Sequence, residues 1–167
     1  MDLDRLFTLS SELGETLKRQ EFSFTCAESC TGGWLGQAIT SVPGSSKWFG
    51  SSFVTYSYSA KSKILGVSAK DLEKFGAVSE EIVKQMVTGL IDITEANVGV
   101  AISGIAGPSG ATDSKPVGTV CFAWKANNLS TVSSTYHFSG DRNQVRFCSV
   151  EQALFCLLYT SPSPRDS

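Results

Sequence analysis

The sequence predicts an α/β protein, namely a three-layer α/β/α sandwich with a mixed, mostly parallel sheet of about five strands. Three stretches predict this fold. Residues 23–39 pass from a short strand into a helix. Residues 98–102 form an apolar run of the kind found in a strand covered on both faces. Residues 116–124 and 131–138 are β-like and are joined through a hairpin signal at residues 126–128, so an antiparallel pair is expected toward one side of the sheet.

The other elements of the first half follow from periodicity. Residues 3–19 carry an apolar stripe opposite their charged residues, which predicts an amphipathic helix that covers the sheet. Residues 48–56 are rich in aromatic and hydroxyl side chains and predict a second strand. Residues 57–65 turn helical and end at Gly66.

In the second half, Ser79 is the expected N-cap of a long helix, with Glu80 and Glu81 in its first turn. A closing helix is expected to start after Asp141. The single histidine, His137, falls on the more polar face of the last strand, which favours a surface or edge position over a catalytic one.

Size and composition limit the class of protein. With 167 residues, 41% of them hydrophobic, the chain is long enough for one domain with a proper core. A net charge of -2 gives no basic field for nucleic acid. No apolar run reaches the ~18 residues of a membrane span, and the first residues are acidic, so a cytoplasmic protein without membrane contact is expected. Five cysteines without Cys-x-x-Cys spacing suggest neither a disulfide framework nor a zinc site.

The C-terminal stretch has a different character. Residues 156–166 match the translation of a transposase sequencing adapter. We therefore expect a single domain over residues 1–155 and a non-native tail over residues 156–167. A genuine Pro/Ser-rich disordered tail is the alternative.

The expected chemistry lies at the first strand-to-helix junction, residues 23–33, where two hydroxyls, a thiol and two glycines stand between the strand and the helix, at residues 29–33. Backbone N–H groups at a helix start favour an anion or a developing oxyanion. Ser29 would lie at the carboxyl end of its strand, where open α/β sheets place ligands. The same residue types are also ordinary helix caps, and that alternative stays open.

A hydroxyl nucleophile needs a base, and the chain offers no Ser-His-Asp pattern. Lys61 follows the end of the second predicted strand, near Tyr56, and a lysine with a lowered pKa can act as a base. A Ser-x-x-Lys motif is absent because Gly32 stands three residues after Ser29. A plain surface lysine is the alternative for Lys61.

Six blocks in this order resemble the CinA C-terminal family over roughly residues 5–155. They are AESCTGG at 27–33, YSYSAK at 56–61, GAVS at 76–79, SGIAGP at 103–108, KPVGTV at 115–120 and FSGDR at 138–142. The resemblance implies a three-layer α/β/α domain and the family's characterised activity, nicotinamide-nucleotide amidohydrolase, which converts nicotinamide mononucleotide to nicotinate mononucleotide and ammonia. The chain resembles the stand-alone form of this domain, which occurs without the N-terminal domain of full-length CinA proteins.

The resemblance also implies the site residues. Ser29 maps to the nucleophile, Lys61 to the base, and Tyr56 to a tyrosine that would tune the base or relay its proton. The oxyanion is then expected on the loop N–H groups of residues 30–33. The full set of expected substrate-binding residues is Cys30, Thr31, Gly32, Gly33, Ser103, Gly104 and Arg142. No metal or cofactor is implied, and we expect a small-molecule mononucleotide as substrate and a homo-oligomer.

Three residues depart from the family pattern, and two alternatives remain. Tyr58 replaces the usual asparagine, Ser103 the common threonine, and Ala111 a glycine. A thiol at a helix start is acidified, so Cys30 is a second candidate nucleophile. A catalytically silent nucleotide-binding or regulatory module is the other alternative.

Two arginines at the start of the closing helix lie four residues apart, at the end where the helix dipole disfavours cations. For Arg142 the resemblance favours a substrate phosphate as the compensating anion. For Arg146 a structural salt bridge is equally expected.

Overall fold

The computed structural model describes residues 1–159, which form six α-helices and five strands. Their bounds are α1 Leu3–Gln20, β1 Phe24–Glu28, α2 Trp34–Thr40, β2 Phe49–Val54, α3 Tyr58–Leu65, α4 Ala69–Phe75, α5 Glu80–Thr94, β3 Val98–Gly104, β4 Thr119–Ala126, β5 Val132–His137 and α6 Arg142–Tyr159, with a short 3₁₀ turn at Ser45–Lys47.

The strands form one sheet in the order β2-β1-β3-β4-β5. β1 pairs in parallel with β2 and β3, whereas β4 pairs antiparallel with both β3 and β5. Four strands therefore run in one direction and only β4 runs against them. The predicted mixed, mostly parallel sheet with an antiparallel side is confirmed.

Strand side chains alternate between two cores, because successive residues of a strand point to opposite faces. Large side chains such as Phe24, Ile102 and Phe122 pack with α1, α2 and α6 on one face. Small ones, including Ala27 and Ala101, pack with α3, α4 and α5 on the other face. The short side chains let α5 lie close to the sheet, and the three-layer arrangement is confirmed.

Most helix starts are where their capping residues predict. The Ser79 hydroxyl accepts from the Ile82 N–H at 3.3 Å, as expected for α5. α4 was not predicted from the sequence, but it begins in the same way: the Ser68 hydroxyl accepts from the Asp71 N–H at 3.2 Å. This helix has seven residues and one fully buried side chain, Leu72, so its apolar periodicity is too short to detect.

The last helix runs past the predicted domain boundary at residue 155. α6 continues through Tyr159, and its residues Cys156, Leu157 and Leu158 are buried in the core with α1. The helix continues because these three apolar side chains extend its buried face. The non-native origin proposed for residues 156–167 stays a prediction, and residues 160–167 lie outside the described part.

Two further expectations concern the position of the single histidine and the presence of a membrane-spanning helix. His137 is exposed on β5, at the edge of the sheet, which confirms the predicted surface position. Within residues 1–159, no helix combines the length and apolar character that crossing a bilayer requires.

Candidate active site

Ser29 lies where three parallel strands end. Its N–H donates to the Ile102 carbonyl of β3 at 3.0 Å, so the residue continues the β1 ladder by one step. On the other side, the Thr55 N–H donates to the Glu28 carbonyl at 2.9 Å. Ser29 is only 7% exposed and is held at the carboxyl edge of the sheet. This is the location that the strand-to-helix junction predicts.

Lys61 reaches this edge from α3 and is fully buried. Its Nζ lies 3.0 Å from the Ser29 Oγ, and it donates to the carbonyls of Thr55 at 2.8 Å and Tyr56 at 2.9 Å. Burial disfavours the ammonium and lowers the pKa of Lys61 to about 8, although the neighbouring Cys30 raises it. The structure therefore joins two residues that lie 32 positions apart in the sequence.

Glu28, which the sequence analysis did not single out as a site residue, is a buried carboxylate directly before Ser29. Its Oε1 accepts from the Thr31 hydroxyl at 2.6 Å and from two amides, and its Oε2 accepts from the Gly36 N–H at 3.0 Å and the Ser52 hydroxyl at 2.9 Å. The carboxylate thus accepts hydrogen bonds from the first-turn amides of α2, which were expected to favour an anion or a developing oxyanion. An ionisable residue inside a fully buried strand was the signal for it.

The loop between β1 and α2 turns on two glycines with positive φ, Gly32 at 61° and Gly33 at 103°. The Gly32 N–H donates to the Ser29 carbonyl at 3.1 Å, and the Gly33 N–H donates to Glu28 at 3.2 Å. Neither amide is therefore available to the oxyanion expected on all four loop residues. Within residues 1–159, no other residue accepts a hydrogen bond from the N–H groups of Cys30 and Thr31.

Arg146 contacts the outer side of the same loop from α6. Its Nε donates to the Cys30 carbonyl at 3.0 Å and its Nη2 donates to the Thr31 carbonyl at 3.3 Å. Its guanidinium lies 5.6 Å from the centre of the Trp34 ring. Within residues 1–159, Arg146 forms these contacts and no salt bridge, so the structural salt bridge considered for it is not found.

Tyr56 and Arg142 lie at the exposed mouth of the site. Tyr56 contacts Lys61 through its main-chain carbonyl, while its phenol accepts a hydrogen bond from Arg142 Nη2 at 3.4 Å. Arg142 Nη1 also donates to the Gly107 carbonyl at 2.7 Å. The tyrosine side chain therefore turns toward Arg142, and within residues 1–159 no hydrogen bond links its hydroxyl to Lys61.

The remaining expected binding residues are mostly enclosed. Ser103 is 1% exposed at the end of β3, and the Thr31 hydroxyl is taken up by Glu28. Gly104 packs closely enough that a Cβ would lie 3.1 Å from the Cys30 Sγ. Burial is the largest influence on that thiol and raises the pKa of Cys30 to about 12, against the lowering influence of Arg146.

The departures from the family pattern fit without strain. Tyr58 begins α3, and its hydroxyl accepts from the Ala77 N–H at 3.3 Å. Ala111 has no positive φ, so this position does not require the glycine. In residues 1–159 no three His, Cys, Asp or Glu side chains are grouped to hold a metal ion.

The fold and the site together define an α/β/α domain that buries a serine–lysine pair at the carboxyl edge of its sheet. The family model described as the CinA C-terminal domain matches residues 6–160. The chain therefore belongs to the CinA C-terminal domain family.

Similar proteins match over nearly their whole length. The nicotinamide-nucleotide amidohydrolase PncC of Enterobacter agglomerans is 47% identical over 157 residues, which cover 94% of each chain. The protein of the same name from Escherichia coli strain K12 is 45% identical, covering 89% of this chain and 90% of its own. A crystal structure of a competence-damaged protein (CinA) superfamily protein from Escherichia coli superposes with a TM-score of 0.90 at 40% identity, covering 95% of this chain and 91% of that one.

Proposed function

We propose that this protein is an amidohydrolase that converts nicotinamide mononucleotide and water to nicotinate mononucleotide and ammonia. The observation that carries the proposal is the contact of 3.0 Å between the buried Lys61 Nζ and the Ser29 Oγ. The relatives named as nicotinamide-nucleotide amidohydrolases support the substrate, because they match over about nine tenths of both chains or more.

Lys61 is the proposed base. A neutral amine has two N–H donors and one lone pair. The carbonyls of Thr55 and Tyr56 accept the two donors, which leaves the lone pair for the Ser29 hydroxyl. With a pKa of about 8, a useful fraction of Lys61 is neutral near physiological pH.

The reaction then proceeds through an acyl-enzyme. Ser29 Oγ gives its proton to Lys61 and bonds to the carboxamide carbon, and the carbonyl electrons move onto oxygen. The C–N bond breaks as Lys61 returns the proton to the departing ammonia. Water then attacks the ester by the same steps, which releases the carboxylate and restores Ser29.

The amides of Cys30 and Thr31 are the proposed donors to the oxyanion. They follow the nucleophile directly, and within residues 1–159 neither donates to another residue. Thr31 is fully buried, and a buried N–H without a partner is rare in folded proteins. An oxygen that becomes negative during the reaction supplies the missing acceptor.

Arg142 is the proposed phosphate contact. Its guanidinium lies at the exposed mouth of the site, beside Tyr56. A guanidinium has five N–H donors, and the contacts to Gly107 and Tyr56 occupy two of them. The rest can hold a phosphate with two parallel bonds. Tyr56 is assigned to positioning, through its carbonyl on Lys61 and its phenol on Arg142.

The thiol alternative is disfavoured by its surroundings. A pKa of about 12 keeps Cys30 protonated at neutral pH, and a buried thiol is a poor nucleophile. Ser29→Ala should abolish ammonia release, whereas Cys30→Ser should retain much of it. The opposite pair of results would assign the nucleophile to Cys30.

The test of the function is an ammonia-release assay on the full chain with nicotinamide mononucleotide. We expect turnover that depends on Ser29. Saturable binding of the mononucleotide by calorimetry, with ammonia at the background of Ser29→Ala, would instead identify a silent nucleotide-binding module.

A further inference from the structure

Arg146 is the one cation within residues 1–159 that donates to main-chain carbonyls of the loop following Ser29. Its two bonds go to consecutive carbonyls, those of Cys30 at 3.0 Å and Thr31 at 3.3 Å. No acidic side chain in the described chain forms a salt bridge with it. Its guanidinium lies over the Trp34 ring, which restricts its rotation.

The two bonds fix the planes of two peptide groups. In a trans peptide, the C=O and the following N–H point in opposite directions. The only cis peptide in the described residues is Gly107-Pro108, so the peptides after Cys30 and Thr31 are trans. Because both carbonyls face Arg146, the following N–H groups of Thr31 and Gly32 point to the opposite side of the loop.

The Gly32 amide identifies what lies on that opposite side. Its N–H donates to the Ser29 carbonyl at 3.1 Å, so the nucleophile's own main chain is there. The Thr31 N–H is directed to the same side, and it is buried and without a protein acceptor. A cation that bonds to the carbonyl of a peptide also polarises the N–H of that peptide, which makes it a stronger donor.

We propose that Arg146 is a positioning residue that aims and polarises the Thr31 N–H as an oxyanion donor, acting through the Cys30–Thr31 peptide group. The inference rests on the proposed amide hydrolysis. It assigns Arg146 a role distinct from that of Arg142, because Arg146 contacts the loop and Arg142 contacts the mouth of the site. It also explains why an arginine is needed, since a lysine ammonium cannot form two bonds in the fixed geometry of a planar fork.

Arg146→Lys and Arg146→Met test the proposal, with Arg5→Met as matched control. Arg5 also joins α6 to another element, through Glu151 at 2.7 Å, but it is remote from the loop. We expect both Arg146 variants to lower kcat for nicotinamide mononucleotide at least tenfold with KM changed less than about threefold, because one oxyanion donor is typically worth ~100-fold in kcat. Arg5→Met should keep the wild-type kcat.

An aldehyde analogue of the mononucleotide separates this role from a merely structural one. The Ser29 oxygen adds to the aldehyde carbon, the hydroxyl proton passes to Lys61, and the former carbonyl oxygen becomes an oxyanion. The affinity for this analogue should fall in both Arg146 variants by about the same factor as kcat. The affinity for the product, nicotinate mononucleotide, should stay within about threefold, since it carries no tetrahedral oxygen.

Three results would overturn the inference. An Arg146→Met enzyme with wild-type kcat and analogue affinity would show that Thr31 is not directed by Arg146. Equal losses for product and analogue would assign Arg146 to binding or to general loop integrity. Absence of turnover by the wild type would reject the proposed function and this inference together, whereas wild-type turnover with unaffected variants rejects only the inference.

Discussion

The environment of Lys61 has two consequences for the proposed reaction. Full burial removes water from its amine and favours the neutral form, while two main-chain carbonyls hold the amine 3.0 Å from Ser29. A surface lysine, the alternative left open by the sequence, would have neither feature. The residue is therefore prepared to accept a proton before any substrate binds.

The pH dependence of the reaction follows from this pKa. Because Lys61 must be neutral, kcat/KM should rise with pH through an apparent pKa near 8. Lys61→Arg keeps the charge but cannot deprotonate, so it should lower kcat at least 100-fold while the protein stays folded. Lys63→Arg, an exposed position on the same helix, is the control. Substantial activity in Lys61→Arg, measured by ammonia release, would reject the assignment of the base.

The proposed phosphate contact of Arg142 predicts different effects of its removal on two substrates. Arg142→Ala should raise KM for the mononucleotide at least tenfold, because a bidentate bond to the phosphate is lost. Activity on the riboside without phosphate should change little. Steady-state kinetics with both substrates measure this difference, and equal losses on both would show that Arg142 supports the fold or the chemistry.

Glu28 predicts a coupled loss of stability and activity. Glu28→Gln replaces an acceptor oxygen with an NH₂ group, and each of the two oxygen positions faces at least one main-chain N–H that can only donate, so we expect a loss of about 2–3 kcal/mol in the free energy of unfolding. The loop carrying the oxyanion amides then shifts, and kcat should fall more than tenfold. Urea unfolding and ammonia release test this, with the exposed Glu73→Gln as control. Unchanged values for Glu28→Gln would show that the hydrogen bonds of this carboxylate do not hold the loop in place.

At the scale of elements, the site depends on how closely α3 approaches α5. α3 carries Lys61, and its last carbonyl, that of Leu65, rests directly on Gly89 of α5. A Cβ at Gly89 would overlap this oxygen. The glycine therefore sets the distance between the two helices and, through α3, the height of Lys61 above the sheet.

Gly89→Ala is expected to be destabilising although alanine is the better helix former. The gain in helix propensity is about 1 kcal/mol, whereas forcing two packed backbones apart costs about 1–3 kcal/mol. The displacement of α3 should also reduce kcat. Thermal unfolding and kinetics measure both effects, with Gly50→Ala as control because a Cβ there lies 4.0 Å from its nearest neighbour. A Gly89→Ala protein more stable than wild type would contradict this description of the packing.

At the scale of the molecule, the buried amine links stability to pH. The pKa of Lys61 is about 8 in the folded protein and near 10.5 when unfolded, so the unfolded chain binds the extra proton between these values. Stability from this residue therefore rises with pH across that window, and the cost of burying the amine is fully present below pH 8.

The homo-oligomer and the cytoplasmic location stay predictions.

Lys61→Met removes this linkage. The free energy of unfolding of Lys61→Met should exceed that of the wild type by the largest amount below pH 8. This difference should shrink steadily between pH 8 and 10.5. Urea unfolding of both proteins at several pH values measures the difference, in which the titration of other groups cancels. A difference that does not change with pH would show that Lys61 has an ordinary pKa in the native state.

The sequence by itself determined the fold class and most elements, and it predicted which residues are reactive. Hydrophobic periodicity and capping residues such as Ser79 are local, so they can be read along the chain. The junction at Ser29 and the motif around Lys61 are also contiguous blocks. The seven-residue helix α4 was not predicted because its apolar pattern is too short to detect.

Only the tertiary structure decided which of these residues meet. Ser29 and Lys61 are brought together by the strand register and by the docking of α3, and Arg146 reaches Cys30 across 116 positions. In the structure the amides of residues 32 and 33 donate to other residues, whereas no other described residue accepts from those of residues 30 and 31. Such contacts arise from side-chain directions and helix packing between distant segments, which no local pattern in the chain encodes.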